Sequence, residues 1–359
     1  MRFAVVGLGY WGPKLLRNVM SLAPIDDVIG VDSDPKRHEM IRRQVGPVAC
    51  LESLDDALDA GVDAVIIATP LRTHAVLAQR AIDAGTHVLV EKPLAGSVVA
   101  AADLVRRASE RGVVLMTGHT FLFSPRVEAL AKLRRTGVMR RVDYATAQRL
   151  NLGIYRHDES VIWDLAPHDL SILFHVLGEF PETVQSAGRG VLRRESLDVA
   201  FINLTFPSGA VASVTVSWLA PRKIRHIALV GDTKMVVYDD TDNDEPVKIY
   251  DRGLVVPDSA SFGEHQLTYR FGETVAPYIA SHEPLARELV HFVDCIEGEE
   301  ECISDGLFGL RVVEVLEAAE LSWRTGGSPV PVARSEEEVI PLLGNAVSPD
   351  MVPTIRRLA

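Results

Sequence analysis

The first third of the chain alternates between short, wholly apolar runs and longer stretches with apolar positions three and four apart. The runs lie at Phe3–Val6, Val28–Val31, Ala64–Ile67, Val88–Val90 and Val113–Met116. Strands apolar at every position suit a sheet covered on both faces. Helical spacing fills the gaps at Pro13–Met20, Pro35–Arg43, Thr73–Ala84 and Val98–Arg111. This repetition predicts an α/β domain over residues 1–122, a doubly wound parallel sheet.

The rhythm changes after Gly118. One helix is expected at Arg126–Arg135 and a second at Leu165–Leu177, with the strand "RRVDYATAQRLNLG" between them. Six further strand patterns then run from "TVQSAGRGVL" to "VKIYD" without helices, separated by turn signals such as "FPSGAV" and "GDTK". An α+β domain with an antiparallel sheet is the expectation for residues 123–330, closed by helices near Leu285–Ile296 and Leu307–Arg324. Residues 331–359 read as a Pro-studded strap or tail.

Charge narrows the function classes. The net charge of −12 on 359 residues argues against nucleic acid and anionic membrane as partners, since both need clustered Lys and Arg. No apolar stretch approaches a membrane span, and the N-terminus lacks a signal-peptide pattern. The three cysteines form no CxxC pair, so neither a disulfide framework nor a metal is expected, and the cytoplasm fits.

The first apolar run leads into "GLGYWG", with Gly7, Gly9 and Gly12 spaced as GxGxxG between strand and helix. Gly7 allows the tight turn, Gly9 lets a pyrophosphate approach, and Gly12 lets the helix pack closely. Asp32 ends the second strand twenty residues after Gly12, where a ribose-binding acid belongs, with Ser33 beside it. Asp32 and Asp34 would repel a 2′-phosphate, which favours NAD over NADP, although Lys36 and Arg37 are close in sequence.

In an open parallel sheet, ligands sit at the carboxyl ends of the strands. "VLVEKP" puts Glu91 and Lys92 at such an end, and Pro93 restricts the backbone at Lys92. In "VIWDLAPHDLSILFHVLG", His168 falls on the helical stripe of Leu165, Ile172, Leu173 and Val176, with Asp164 one turn earlier. An acid one turn from an imidazole is a means of orienting and tuning a base. Pro167 is expected in the first turn of that helix.

These motifs, with "ATPLRTH" at 68–74, "GHTF" at 118–121 and "WDLAPHD" at 163–169, resemble the glucose–fructose oxidoreductase/inositol dehydrogenase (Gfo/Idh/MocA) family. The resemblance is nearest to its nucleotide-sugar 3-dehydrogenase and 3-ketoreductase branch. It implies a Rossmann domain followed by an open-faced antiparallel sheet that serves a homodimer or homotetramer. It makes Lys92, Asp164 and His168 the catalytic set and the Lys92–Pro93 bond cis. It places Thr69, Pro70, His74, Glu91, and the backbone of Tyr10 and Trp11 on the cofactor, with His119 and Trp163 near the nicotinamide. It puts Arg149, Asn151 and Arg156 on a sugar or nucleotide-sugar substrate. The implied reaction is NAD-dependent oxidation of a ring alcohol, with the proton roles of Lys92 and His168 interchangeable. A 3-ketosugar reductase, an inositol dehydrogenase and a non-catalytic dinucleotide-binding regulator are the alternatives. "DDTDNDEP" at 239–246 lacks the Gly and Glu of a calcium loop, and "EGEEE" at 297–301 reads as a charged helix end.

Overall fold

The computed structural model describes residues 1–153, 159–255 and 268–333. Its elements begin with β1 (Phe3–Val6), α1 (Gly12–Val19), β2 (Val28–Val31), α2 (Pro35–Gln44), β3 (Ala49–Leu51), α3 (Leu54–Asp59), β4 (Ala64–Ile67), α4 (Leu71–Asp83), β5 (His87–Glu91), α5 (Val98–Arg111) and β6 (Leu115–Gly118). There follow α6 (Pro125–Arg135), β7 (Val142–Leu152), α7 (Val161–Leu177), β8 (Thr183–Arg189), β9 (Val199–Thr205), β10 (Val211–Ser217), β11 (Leu219–Gly231), β12 (Met235–Asp239), β13 (Val247–Val255) and β14 (Thr268–Val275). The last are α8 (Pro284–Glu297), α9 (Gly306–Arg324) and β15 (Val330–Pro331).

The chain divides into two compact units. Met1–Phe123, His282–Glu317 and Ala333 belong to the first; Ser124–Ser281 and Ala318–Val332 belong to the second. Residues 334–359 of the expected strap lie outside the described residues.

The first unit holds a six-stranded parallel sheet in the order β3-β2-β1-β4-β5-β6, the doubly wound topology of a Rossmann domain. β3 and α3 carry too few residues for a periodic signal: β3 pairs only Ala49–Leu51 with Ile29–Val31. β6 begins two residues later than its apolar run. Val113 N–H still closes the end of α5 on Ala108 O, and Val114 N–H donates to His87 Nδ1. α8 joins this unit by packing: Leu285, Leu289 and Phe292 share one core with Phe3, Val5, Leu16, Leu122 and Phe123.

The second unit is built on a nine-stranded sheet in the order β14-β13-β12-β11-β7-β10-β9-β8-β15. The expected all-antiparallel sheet is mixed, because β10 pairs β7 in parallel from Val211↔Tyr144 to Ser217↔Leu150. A helix lies between β7 and the meander that ends at β10, and parallel neighbours require such a crossover. Ala145, Ala147, Ala200, Ile202, Val214 and Val216 point to the covered face. Alternation leaves Tyr144, Phe201 and Val211 on the open face, each between 45% and 49% exposed.

α7 starts at Val161, four residues earlier than expected, so Pro167 sits inside the helix rather than in its first turn. Its ring removes one ladder donor; the burial of Ala166, Pro167, Leu170 and Leu173 keeps the helix in place regardless. Among the described residues, no helix is long and apolar enough to cross a membrane.

Candidate active site

In the first unit the predicted cofactor residues lie at the carboxyl ends of β1, β2, β4 and β5 or in the helices that follow, with Gly12 opening α1 and His74 on α4. Gly7 follows β1 with φ +95°, and a Cβ there would fall 2.7 Å from Ala68 O. A Cβ on Gly12 would meet Gly7 O at 2.8 Å, whereas Gly9 faces open space. The turn is thus closed on its sheet side and open where a pyrophosphate would approach. α1 has no side-chain cap, so the positive end of its dipole stays available to an anion. Exposed Tyr10 and half-buried Trp11 carry Lys14 Nζ over their rings at 3.8 and 4.5 Å, adding positive charge beside the turn. These features fit a dinucleotide.

Asp32 has a second task that the sequence did not reveal. One carboxylate oxygen accepts Leu8 N–H at 2.8 Å and the other accepts Asp34 N–H at 2.9 Å. The acid predicted to bind the ribose therefore holds the glycine turn against the end of β2. His38 Nε2 donates to Asp32 O at 2.7 Å. Ser33, Lys36 and Arg37 are exposed, and Asp34 caps α2 by accepting Lys36 N–H.

Pro70 precedes α4, and the Thr73 hydroxyl donates to Pro70 O and pairs with the Thr69 hydroxyl, both at 2.7 Å. His74 is 2% exposed, with its ring nitrogens 2.8 Å from Pro93 O and Thr69 O. Burial, aided by the Lys92 charge, lowers its pKa, and a neutral ring donates to only one of the two carbonyls. His74 is therefore a strut between the loop after β4 and the turn after β5. The Lys92–Pro93 bond is cis.

A buried polar cluster fills the ends of β5 and β6. Burial pushes the Glu91 carboxyl up to about 7, against the opposing pull of Lys92. Glu288 on α8 accepts the Thr120 hydroxyl at 2.8 Å, and burial with the nearby Glu91 charge raises it well above the usual carboxylate range. His119 is pushed down to about 3 by burial and by Lys92, so its ring is neutral. Both His119 ring nitrogens, Thr117 Oγ1, Ser304 Oγ and Glu288 Oε1 are buried without a protein partner. That unmet hydrogen-bonding capacity is what a polar ligand would engage.

Glu288 was missed in the sequence, but it had a signal. It falls between Leu285, Leu289 and Phe292, a carboxylate on the apolar stripe of a helix. Thr117 and Ser304 had none; Thr117 N–H bonds Ser304 O across a long chain separation.

The second unit contributes a cleft lined by Arg149, Leu150, Asn151, Leu165, His168, Lys223 and Arg225. Three predicted residues, Arg149, Asn151 and His168, thus come together; Arg156 lies outside the described residues. Arg149 is engaged by Asp169 through two hydrogen bonds of 2.7 and 3.1 Å, both side chains buried. Asp164, one turn before His168, accepts the Trp218 indole N–H at 2.9 Å. Trp163 is half-buried on the same helix. Arg225 donates to Asp240 at 2.9 Å, while Lys223 is exposed at the cleft. Lys223 and Arg225 had no sequence signal, because strand β11 is charged along much of its open length.

Residues 1–119 match the GFO/IDH/MocA oxidoreductase family with its NAD-binding Rossmann fold, and residues 137–237 match a GFO/IDH/MocA C-terminal domain. The UDP-N-acetylglucosamine 3-dehydrogenase of Acidithiobacillus ferrooxidans is 30% identical over 316 residues, spanning 87% of this chain and 94% of that protein. The scyllo-inositol 2-dehydrogenase (NAD(+)) of Bacillus subtilis is 26% identical over 91% of this chain and 95% of its own length. A solved structure of the A. ferrooxidans enzyme superposes with a TM-score of 0.77 at 27% identity, over 90% of this chain and 98% of that one.

The paired carboxyls make stability depend on pH. Glu91 and Glu288 are both raised, so the folded chain holds their protons more tightly than the unfolded chain does. Their contribution is full below the ordinary carboxylate range; for Glu91 it is lost as pH rises through about 7, and for Glu288 as pH rises through its own raised pKa. Glu288→Gln keeps an acceptor for Thr120 and cannot ionise. It should raise Tm by several degrees at about pH 8, with the gain shrinking toward about pH 5. Thermal unfolding at both pH values checks this; an equal change at both would show that Glu288 does not titrate as described.

Proposed function

The chain belongs to the GFO/IDH/MocA family of NAD-binding oxidoreductases, and on that premise we propose that it interconverts a secondary alcohol and a ketone at C3 of a nucleotide sugar. The observation that carries this reading is the cleft beside His168. In a chain of net charge −12 it gathers Arg149, Lys223 and Arg225. Cations around a proton-transfer group suit a substrate bearing phosphate, since charge-assisted hydrogen bonds to phosphate are the strong ones. The similarity to a UDP-N-acetylglucosamine 3-dehydrogenase supports it. An uncharged cyclitol, the substrate class in the name of the B. subtilis relative, would give the exposed Lys223 no phosphate to meet.

The chemistry follows from the residue types. Bound NAD supplies the hydride acceptor. His168 takes the hydroxyl proton as the carbonyl forms. Lys92 steadies the oxygen as negative charge builds, and Asp164, fixed by Trp218, orients the proton-transferring pair. His119, Arg149 and Asn151 contact the sugar nucleotide. The same groups serve ketone reduction, so direction is set by the substrates supplied.

Incubation with NAD and a panel of UDP-sugars, dTDP-sugars and free inositol, followed by NADH absorbance, tests the reading. Turnover with a nucleotide sugar alone is expected. His168→Ala should lower kcat by about two to four powers of ten, and Lys223→Ala should raise KM about tenfold or more with kcat retained. Turnover restricted to inositol would overturn the substrate class.

NAD is the proposed cofactor rather than NADP, because Asp32 and Asp34 follow the end of β2, where a 2′-phosphate would add like charge. Asp32→Ala loosens the turn for both cofactors, so the ratio of affinities is the informative quantity. It should fall about tenfold or more toward NADP in fluorescence titrations. An unchanged ratio would limit Asp32 to holding the turn.

We also propose that the open face of the sheet, with Tyr144, Phe201 and Val211, pairs with a second copy of the chain. Phe201→Asp should then yield monomers in light scattering; an unaltered mass would place the contact elsewhere.

A further inference from the structure

α8 carries His291 and Cys295 one turn apart, on one face of the helix. Gly298, in the left-handed region at φ +77°, ends the helix, and a short acidic turn brings Cys302 back. Glu299 N–H bonds Asp294 O at 2.8 Å and closes that turn. One ligand atom each from His291, Cys295 and Cys302 then lie within 4.8 Å of one another.

The imidazole is oriented for ligation. His291 Nδ1 is 2.6 Å from Glu300 Oε2, so Nδ1 carries the proton and donates. Nε2 is left as the acceptor; it takes Ile303 N–H at 3.1 Å and lies 3.4 Å from Cys295 Sγ. A carboxylate behind the far nitrogen is the arrangement that fixes tautomer and ring direction in metal-binding histidines. A tetrahedral ion with Zn–S of about 2.3 Å and Zn–N of about 2.0 Å needs its ligands about 3.5–4 Å apart, close to the spacing present.

We propose that His291, Cys295 and Cys302 form a binding site for one zinc ion, with solvent at the fourth position. Two sulfurs and one imidazole select a soft or borderline ion over magnesium or calcium. Two thiolates neutralise its charge, and binding releases the thiol protons to solvent while displacing the Ile303 N–H from Nε2. Both cysteines are half-buried, so the ion has an entry path, and Glu299 and Glu301 give the entrance negative potential. The ion would pin the turn that leads to Ser304 and Asp305, which bond the edge strand β6 at Thr117 and Met116. The rival for these thiols is a Cys295–Cys302 disulfide, which would have no use for His291 or its Glu300 partner.

The test uses the reduced full-length chain, stripped with chelator and then dialysed against zinc or cobalt. About one metal per chain by elemental analysis is expected, with thiolate-to-cobalt charge-transfer absorption. Cys295→Ser/Cys302→Ser should lose both signals and keep NAD affinity. Should that variant fail to fold, alkylation of the native chain serves instead: zinc should protect Cys295 and Cys302 while Cys50 reacts as before. Absence of the charge-transfer band, equal metal uptake by the double variant, unprotected thiols, or disulfide formation in excess zinc would each overturn the site.

Discussion

The first unit depends on a backbone that comes too close for a side chain. With Ala68 O 2.7 Å from where a Gly7 Cβ would be, the ends of β1 and β4 can converge only if residue 7 is glycine. Gly12 repeats the constraint between α1 and the turn, and Asp32 ties the result to β2 by accepting Leu8 N–H. Three strand ends are thereby locked around one turn whose outer side, at Gly9, stays open. A turn of this kind suits a dinucleotide through its backbone, with N–H groups rather than side chains available to phosphates.

Buried charge does complementary work in the two units. At the ends of β5 and β6, Glu91 and Glu288 lie buried near one another, and removal from water favours their protonated forms. The same environment keeps His119 neutral. In the second unit the buried Arg149–Asp169 pair is mutually satisfied by two hydrogen bonds and joins β7 to α7, the helix that bears His168. Removing one partner of such a pair typically costs about 3–5 kcal/mol, because the other is left charged and dry. Arg149 can therefore line the cleft and hold its wall at once.

Much of this was legible in the chain. Wholly apolar runs marked β1, β2, β4 and β5 because a strand covered on both faces has no polar side to show. GxGxxG with Asp32 marked the dinucleotide turn because each residue answers a local steric or hydrogen-bonding demand. The glycines, Asp32, Glu91 and Lys92 are all placed by short-range chain geometry. β3 was too short to show a period, and the parallel β7–β10 pair left no trace, since strand direction depends on which neighbour a strand meets.

The sequence by itself determined the alternating architecture of the first unit, the nucleotide turn and the family. Tertiary structure alone decided that α8 completes the N-terminal core, that Glu288 meets Glu91, that Trp218 holds Asp164, and that His291, Cys295 and Cys302 share a corner. The physical reason is range. Turn chemistry and helical or strand periodicity act over a few residues and are written in adjacent letters. Burial, and the charge states it imposes, depend on which distant segments pack together, and only the folded chain fixes that.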